Sequence, residues 1–150
     1  MLRDEINEAL KKAMKDQNKR RLATLRLINA AVKDRDIAAR TDGKDAIGED
    51  DIRQLLSKMI RQREESSQVY AEAGRTELAE DERAEIEIIK GFLPRQLSDN
   101  EVKSAGEEVV KDIGASGLRD MGKCMSALKA RFPGQIDMGQ ASSVVKGILN

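Results

Sequence analysis

Glu49-Asp50-Asp51-Ile52-Arg53-Gln54-Leu55-Leu56-Ser57-Lys58-Met59-Ile60 decides the fold class. Its apolar residues recur in steps of three and one, so Ile52, Leu55, Leu56, Met59 and Ile60 fall on one helical stripe. Arg63 and Tyr70 continue on or near that stripe. The three acids at its start suit the positive end of a helix dipole. Gly74 stands just beyond the last turn, where a left-handed residue commonly ends a helix.

Working outward, the same periodicity predicts six more helices. Leu2, Ile6, Ala9, Leu10, Ala13 and Met14 mark a first helix, weakened at Asp16-Gln17-Asn18. A second runs from about Lys19 to Ala39, with Leu22, Leu25, Ile28, Ala31 and Val32 inward, and a loop follows to about Gly48. After Gly74 a fourth helix spans Thr76 to Gly91, with Leu78, Ala79, Ile86 and Ile89 inward. Pro94 cannot continue it and holds its predecessor extended. Ser98-Asp99-Asn100-Glu101 then has the spacing of a capping box, in which hydroxyl and carboxylate each accept from the other's backbone N–H. Val102, Ala105, Val109, Val110 and Ile113 define a fifth helix, ended by Gly114. Asp120 is the expected cap of a sixth, carrying Met121, Cys124, Met125 and Leu128 inward. Asp137 and Gln140 have capping-box spacing before a seventh, whose stripe is Ala141, Val144, Val145 and Ile148. No strand alternation of useful length and no internal repeat appears. The predicted fold is all-α, a four-helix N-terminal domain (residues 1–94) followed by a three-helix C-terminal domain (residues 95–150).

A chain of 150 residues can form one domain or two small ones and bury a core without disulfides or metals. Aromatics are only 2%, namely Tyr70, Phe92 and Phe132, so the core must be aliphatic. The single cysteine, Cys124, excludes an intramolecular disulfide. The absence of histidine removes the commonest zinc ligand and the commonest general base. No phosphate loop or dinucleotide fingerprint is present. Ser66, Ser67 and Ser126 lack a histidine to activate them, and Cys124 lies on an apolar stripe where it reads as a small buried hydrophobe. Acidic pairs such as Glu64-Glu65 point in different directions along a helix and read as solvated faces. Catalytic residues, a metal site and a cofactor are therefore not expected. Asp4, Glu5 and Glu8 near the start resemble neither a secretory signal nor an acid-poor transit peptide, and no apolar run is long enough to span a membrane. A bacterial-type cytosol is the expected setting.

Net charge is zero but unevenly spread. Residues 1–40 carry +5, residues 41–98 carry −5, and residues 114–150 carry five cations and two acids, hence +3. Overall neutrality argues against indiscriminate nucleic-acid binding, while local basic faces remain available. One cluster is Lys11, Lys12, Lys15, Lys19, Arg20, Arg21 and Arg26, diluted only by Asp16. Lys11, Lys15 and Lys19 would share a face of a continuous helix. The cluster reads either as phosphate contacts or as ordinary helix solvation, with Arg20 or Arg26 pairing to acids of the third and fourth helices. The other is the candidate RNA-binding set Arg119, Lys123, Lys129, Arg131 and Lys146, interspersed with glycines. Gly122 and Gly147 read either as sites of tight helix packing or as places where a ribose-phosphate chain approaches the backbone. Scarce aromatics argue against base stacking and favour contact with the backbone of a folded RNA.

The strings Thr24-Leu25-Arg26-Leu27-Ile28-Asn29-Ala30-Ala31, Arg61-Gln62-Arg63-Glu64-Glu65-Ser66, Tyr70 and Ala73-Gly74-Arg75 resemble the YqeY family. So do Gly91-Phe92-Leu93-Pro94-Arg95-Gln96-Leu97-Ser98 with Glu101, and Asp120-Met121-Gly122-Lys123-Cys124-Met125. The resemblance covers nearly the whole chain in order. Cys124 and Ser126 depart from it, standing where small or aliphatic residues are expected. It implies a four-helix domain joined to a three-helix one that is similar to the tail domain of GatB, a subunit of the glutamine-dependent tRNA amidotransferase. In GatB that tail helps recognise tRNA, and the catalytic part lies elsewhere. The implied function is a non-catalytic accessory protein with tRNA or another structured RNA as partner, and Gly122 and Lys123 among its contacts. The alternative is an adaptor docking on a translation-related protein, favoured by the acidic third and fourth helices. A distant third is carbon–nitrogen ligase activity with glutamine as amido donor, inherited from the shared domain. Neither DNA nor a membrane is an expected partner.

Overall fold

Seven α-helices form where the apolar periodicity puts them: α1 (Leu2–Lys15), α2 (Lys19–Ala39), α3 (Glu49–Glu72), α4 (Thr76–Lys90), α5 (Asp99–Ile113), α6 (Met121–Arg131) and α7 (Met138–Leu149). The structure, a computed structural model, describes residues 1–150. It contains no strand, so the chain is all-α. Short 3-10 turns occur at Arg40–Asp42 and Leu118–Asp120. The chain divides into two compact units, Met1–Leu93 with α1 to α4 and Pro94–Asn150 with α5 to α7.

The first unit buries Leu25, Ile28, Leu56 and Ile89 completely among α2, α3 and α4, and Ile6 and Ile52 almost so. Ion pairs tie its helices together. Arg63 of α3 donates through Nε to Glu85 of α4 at 2.8 Å and through a terminal nitrogen to the Met59 carbonyl. Arg3 of α1 makes two parallel bonds of 2.9 Å to Asp36 of α2. Asp36 also accepts from the Ile47 backbone N–H, fixing the loop before α3. The Arg3 guanidinium, helped by Ile47 N–H, holds the Asp36 carboxyl below its ordinary range. Arg20 reaches Asp81 of α4 at 3.0 Å.

Two inward assignments fail here. Met14 is 50% and Leu78 39% exposed, because each lies at the edge of its stripe in a terminal turn, beyond the reach of the facing helix. Nor is the helix continuous through Lys11, Lys15 and Lys19. Asn18 N–H bonds to the Ala13 carbonyl and Gln17 N–H to that of Met14, with Gln17 in the left-handed region at φ 55°. This closes α1 in a Schellman motif. The Asn18 side chain then accepts from Arg21 N–H and starts α2 as a separate helix.

The second unit packs Val102, Val109, Leu128, Ile136 and Val145 around Cys124 and Ala141. At Gly106 a Cβ would come within 3.2 Å of Ile148 Cδ1 and 3.3 Å of Val144 Cγ1, so this glycine lets α5 and α7 close on each other. The capping box of α5 is formed: Glu101 N–H bonds to Ser98 Oγ at 3.2 Å, and Ser98 N–H to Glu101 Oε1 at 3.1 Å. The segment before it is strapped to the same unit. Leu97 N–H donates to the Gln135 carbonyl, Gln135 Nε2 donates to that of Arg95, and Gln96 Nε2 donates to that of Gly134. Arg95 also makes two bonds of 2.9 Å to Glu101. On the other side of Pro94, Phe92 and Leu93 pack on the first core.

Candidate nucleic-acid interface

The second unit sorts its charge by helix. The α5 stretch, residues 99–113, has two cations and five acids, whereas residues 114–150 have five cations and two acids. Both acids of that basic stretch are occupied by backbone N–H groups. Asp137 caps α7, accepting from Gln140 N–H at 2.9 Å. Asp120 accepts from Ser116 N–H at 3.0 Å and makes no bond to the first turn of α6. The expectation that Asp120 caps α6 is thus corrected: its carboxylate turns back to close the loop before the 3-10 turn, because Asp120 ends that turn at φ −92°, ψ 1° and lacks the extended backbone of a cap residue. The bond from Ser116 N–H, then the charges of Arg119 and Lys123, hold its carboxyl below the usual range. The Gln140 side chain does not complete a capping box either; it reaches across to Asp99 at the start of α5.

With both acids committed, most of the cations are left unpaired. Arg119, Lys123, Lys129 and Lys146 are exposed and enter no salt bridge. Arg131 is the exception, bonded to Asp112 of α5 at 2.9 Å, so it does not join them as an unpaired group. Arg119 and Lys123 gather about Asp120. On α6, Gly122, Ser126 and Lys129 follow at the spacing of one helical face, all exposed, with Lys123 one position round. On α7, Gly139, Ser143 and Gly147 make a similar exposed row beside Lys146.

The two readings of Gly122 and Gly147 are separated by geometry. A Cβ at either position would meet nothing within 4 Å. Tight packing inside this chain therefore does not explain them. Gly122 lies in the first turn of α6 and Gly147 in the last turn of α7, where glycine costs up to about 0.5 kcal/mol relative to alanine, less than in mid-helix. The glycine that packing does require is Gly106, which the sequence reading missed; its place on the buried stripe between Val102 and Val109 is the signal that could have found it. Ser126 and Ser143 were not read as members of these rows, and their four-residue spacing to Gly122 and Gly147 is the corresponding signal.

Elsewhere the chemistry is quiet. Cys124 is completely buried, and burial pushes its thiol up. Ser67 is buried and donates to the Glu64 carbonyl one turn back. No group of three or more histidine, cysteine or carboxylate side chains could hold a metal ion. An open hollow of about 530 Å³ lies along α3 and is lined by Gln62, Glu65, Ser66, Val69 and Tyr70.

A model of the Yqey-like protein family matches residues 3–149. The chain belongs to the YqeY-like family. Among curated proteins, this YqeY-like chain is similar to proteins named altered inheritance of mitochondria protein 41, mitochondrial. It is 38% identical to that of Lachancea thermotolerans over 59% of the chain, and 31% identical to that of Clavispora lusitaniae over 93%. The match with the Pyrenophora tritici-repentis protein is 27% over 81% of the chain. These matches take in 46%, 80% and 68% of the relatives' own lengths, respectively. The names overturn the cytosolic setting expected from the sequence, since all three relatives are named as mitochondrial. The physical reason is that Asp4 and Glu5 lie in the first turn of α1, where they suit its dipole. They report a folded helix and carry no address. No helix of this YqeY-like chain is long and apolar enough to cross a membrane.

Proposed function

We propose that this chain is a non-catalytic, RNA-associated accessory protein, with tRNA as its foremost partner, and that its C-terminal unit contacts the RNA backbone. The observation that carries the reading is the pairing of unexplained glycines with unpaired lysines. Gly122 and Gly147 leave helix backbone open to solvent with no packing return inside the chain, and Lys123, Lys129 and Lys146 stand beside them outside any salt bridge. A partner that approaches closely and is anionic accounts for both features, and a ribose-phosphate chain is such a partner. Arg119 belongs to the same set. Arg131 would have to leave Asp112 to take part, so it is a weaker contact. The burial of Cys124 argues against a glutamine-activating nucleophile there.

The test is binding of labelled total tRNA to the full chain at about 50 and 200 mM salt, the range over which several phosphate contacts lose orders of magnitude in affinity. Wild type should bind saturably and weaken with salt. Lys123→Glu with Lys129→Glu should weaken binding at least about tenfold at the lower salt. A wild-type chain that does not bind tRNA at the lower salt ends this reading.

A protein-adaptor reading has its own observation, the surface cavity on α3. Val69 is 62% exposed there, beside Tyr70 and Glu65, which suits an apolar side chain with a basic neighbour. Retention of a protein partner that is lost in Val69→Glu, with no tRNA binding by wild type, would favour it over the RNA reading.

A further inference from the structure

The first unit holds a concentration of positive charge that its fold uses only in part. Between residues 11 and 26 stand seven cations and one acid, Asp16. Two of the seven have carboxylate partners: Arg20 with Asp81 at 3.0 Å, and Lys11 with Glu8 at 3.7 Å on an open surface. Lys12, Lys15, Lys19, Arg21 and Arg26 enter no salt bridge, and all but the half-buried Arg21 are exposed. The turn at Asp16–Asn18 joins the last turn of α1 directly to the first turn of α2, so Lys12, Lys15, Lys19 and Arg21 collect at one corner of the bundle, with Arg26 about two turns along α2.

Helix electrostatics runs against this arrangement. Lys12 and Lys15 suit the negative end of α1. Lys19, Arg20 and Arg21, however, occupy the first three positions of α2, at its positive end, with the neutral Asn18 as cap. In α1, α3, α4 and α5 the first turn carries acids instead. The cations at the start of α2 repel both the dipole and one another, and one of the three is relieved by an acid of the chain. A bound polyanion relieves the others.

We propose that this α1–α2 corner is a second phosphate-backbone site for RNA, distinct from the one on α6 and α7. The proposal rests on the reading above that the partner is RNA. Flexible lysine arms from two helices suit a run of phosphates, which asks for charge and no fixed geometry. An anionic bilayer presents phosphates too, but Met14 and Leu27 are the large exposed apolar side chains next to these cations in the chain, too few to anchor a helix in an interface.

The experiment measures the affinity of the full chain for labelled total tRNA across a salt series. It compares wild type, Lys19→Glu with Arg21→Glu, the corresponding double glutamine variant, and Lys123→Glu with Lys129→Glu. Losing two phosphate contacts lowers the slope of log affinity against log salt by about 2, and both corner variants should show most of that loss. The glutamate variant should also melt higher, by about 4 °C, because acids at the start of α2 suit its dipole and the Arg21→Glu carboxylate has the spacing to complete a capping box with Asn18. Weaker binding by a more stable protein separates a binding site from a structural role. If slope and affinity match wild type in both corner variants while the C-terminal variant loses binding, the corner is not a site and the α6–α7 reading stands. If the corner variants lose binding and the C-terminal variant does not, the corner stands and the α6–α7 reading falls. Failure of wild type to bind tRNA overturns both. Corner-dependent sedimentation with phosphatidylserine vesicles, without tRNA binding, overturns the proposal in favour of a membrane surface.

Discussion

The two units of this chain both leave cations unpaired, but they commit their acids in different ways. In the first, arginines tie helices to one another: Arg3 to Asp36, Arg63 to Glu85, Arg20 to Asp81. In the second, the acids of the α6–α7 stretch are used up at turns and helix starts, by Ser116 and Gln140 N–H groups, and the lysines are left over. A chain of zero net charge can therefore present unpaired cations without any excess of them. What matters is which acids are already engaged, and net charge does not report that.

The largest test of the contrast is in the cores, which the two units do not share. Leu56→Ala should destabilise the first unit by about 2–5 kcal/mol, the range for a fully buried leucine. Amide exchange should quicken through residues 1–93 and stay near wild type in α5 to α7; uniform quickening would show the cores to be coupled. Next comes Gly106→Val, expected to cost about 1–3 kcal/mol by forcing α5 away from Ile148 and Val144, read from the denaturation midpoint. Gly122→Ala and Gly147→Ala should do the reverse, each stabilising by up to about 0.5 kcal/mol while weakening tRNA binding. Alanines that leave both properties unchanged would remove the distinction between packing and surface glycines.

The smallest effect concerns pH. The Arg95 guanidinium, with the Ser98 N–H, lowers the Glu101 carboxyl from 4.5 to about 2. A depressed carboxyl stabilises the fold above its unfolded value, so this contribution is present at neutral pH and lost as pH falls from about 4.5 towards 2. Arg95 and Glu101 are 67% and 43% exposed, so water screens the pair and the effect is modest. Glu101→Gln should flatten acid unfolding of the second unit in that window, followed by circular dichroism, and leave the first unit's Asp36-dependent loss in place.

Much of the fold was legible because helix ends leave local marks. Ser98 and Glu101, Asp137 and Gly74 each act within four residues, and the structure uses them where the sequence puts them. Asp120 shows the limit of that approach. Its position next to a helix suggests a cap, but a 3-10 turn runs straight into α6 through Asp120, and spacing alone does not show that its backbone is not extended there. Leu78 and Met14 failed for a related reason, since a stripe has edges whose burial depends on the length of the facing helix. The candidate site was legible in its residue types and not in its pairings. Arg131 and Lys129 look alike in sequence, and only the fold gives Arg131 a carboxylate nineteen residues away.

The strap at residues 94–97 has a practical consequence for anyone who wishes to exchange or express the halves. Phe92 and Leu93 are anchored in one core, while Arg95, Gln96 and Leu97 are bonded to the other unit. The joint is therefore a single peptide step, and a cut placed midway through the apparent linker would strip the C-terminal half of its own edge. A transplant of that half has to begin at Pro94.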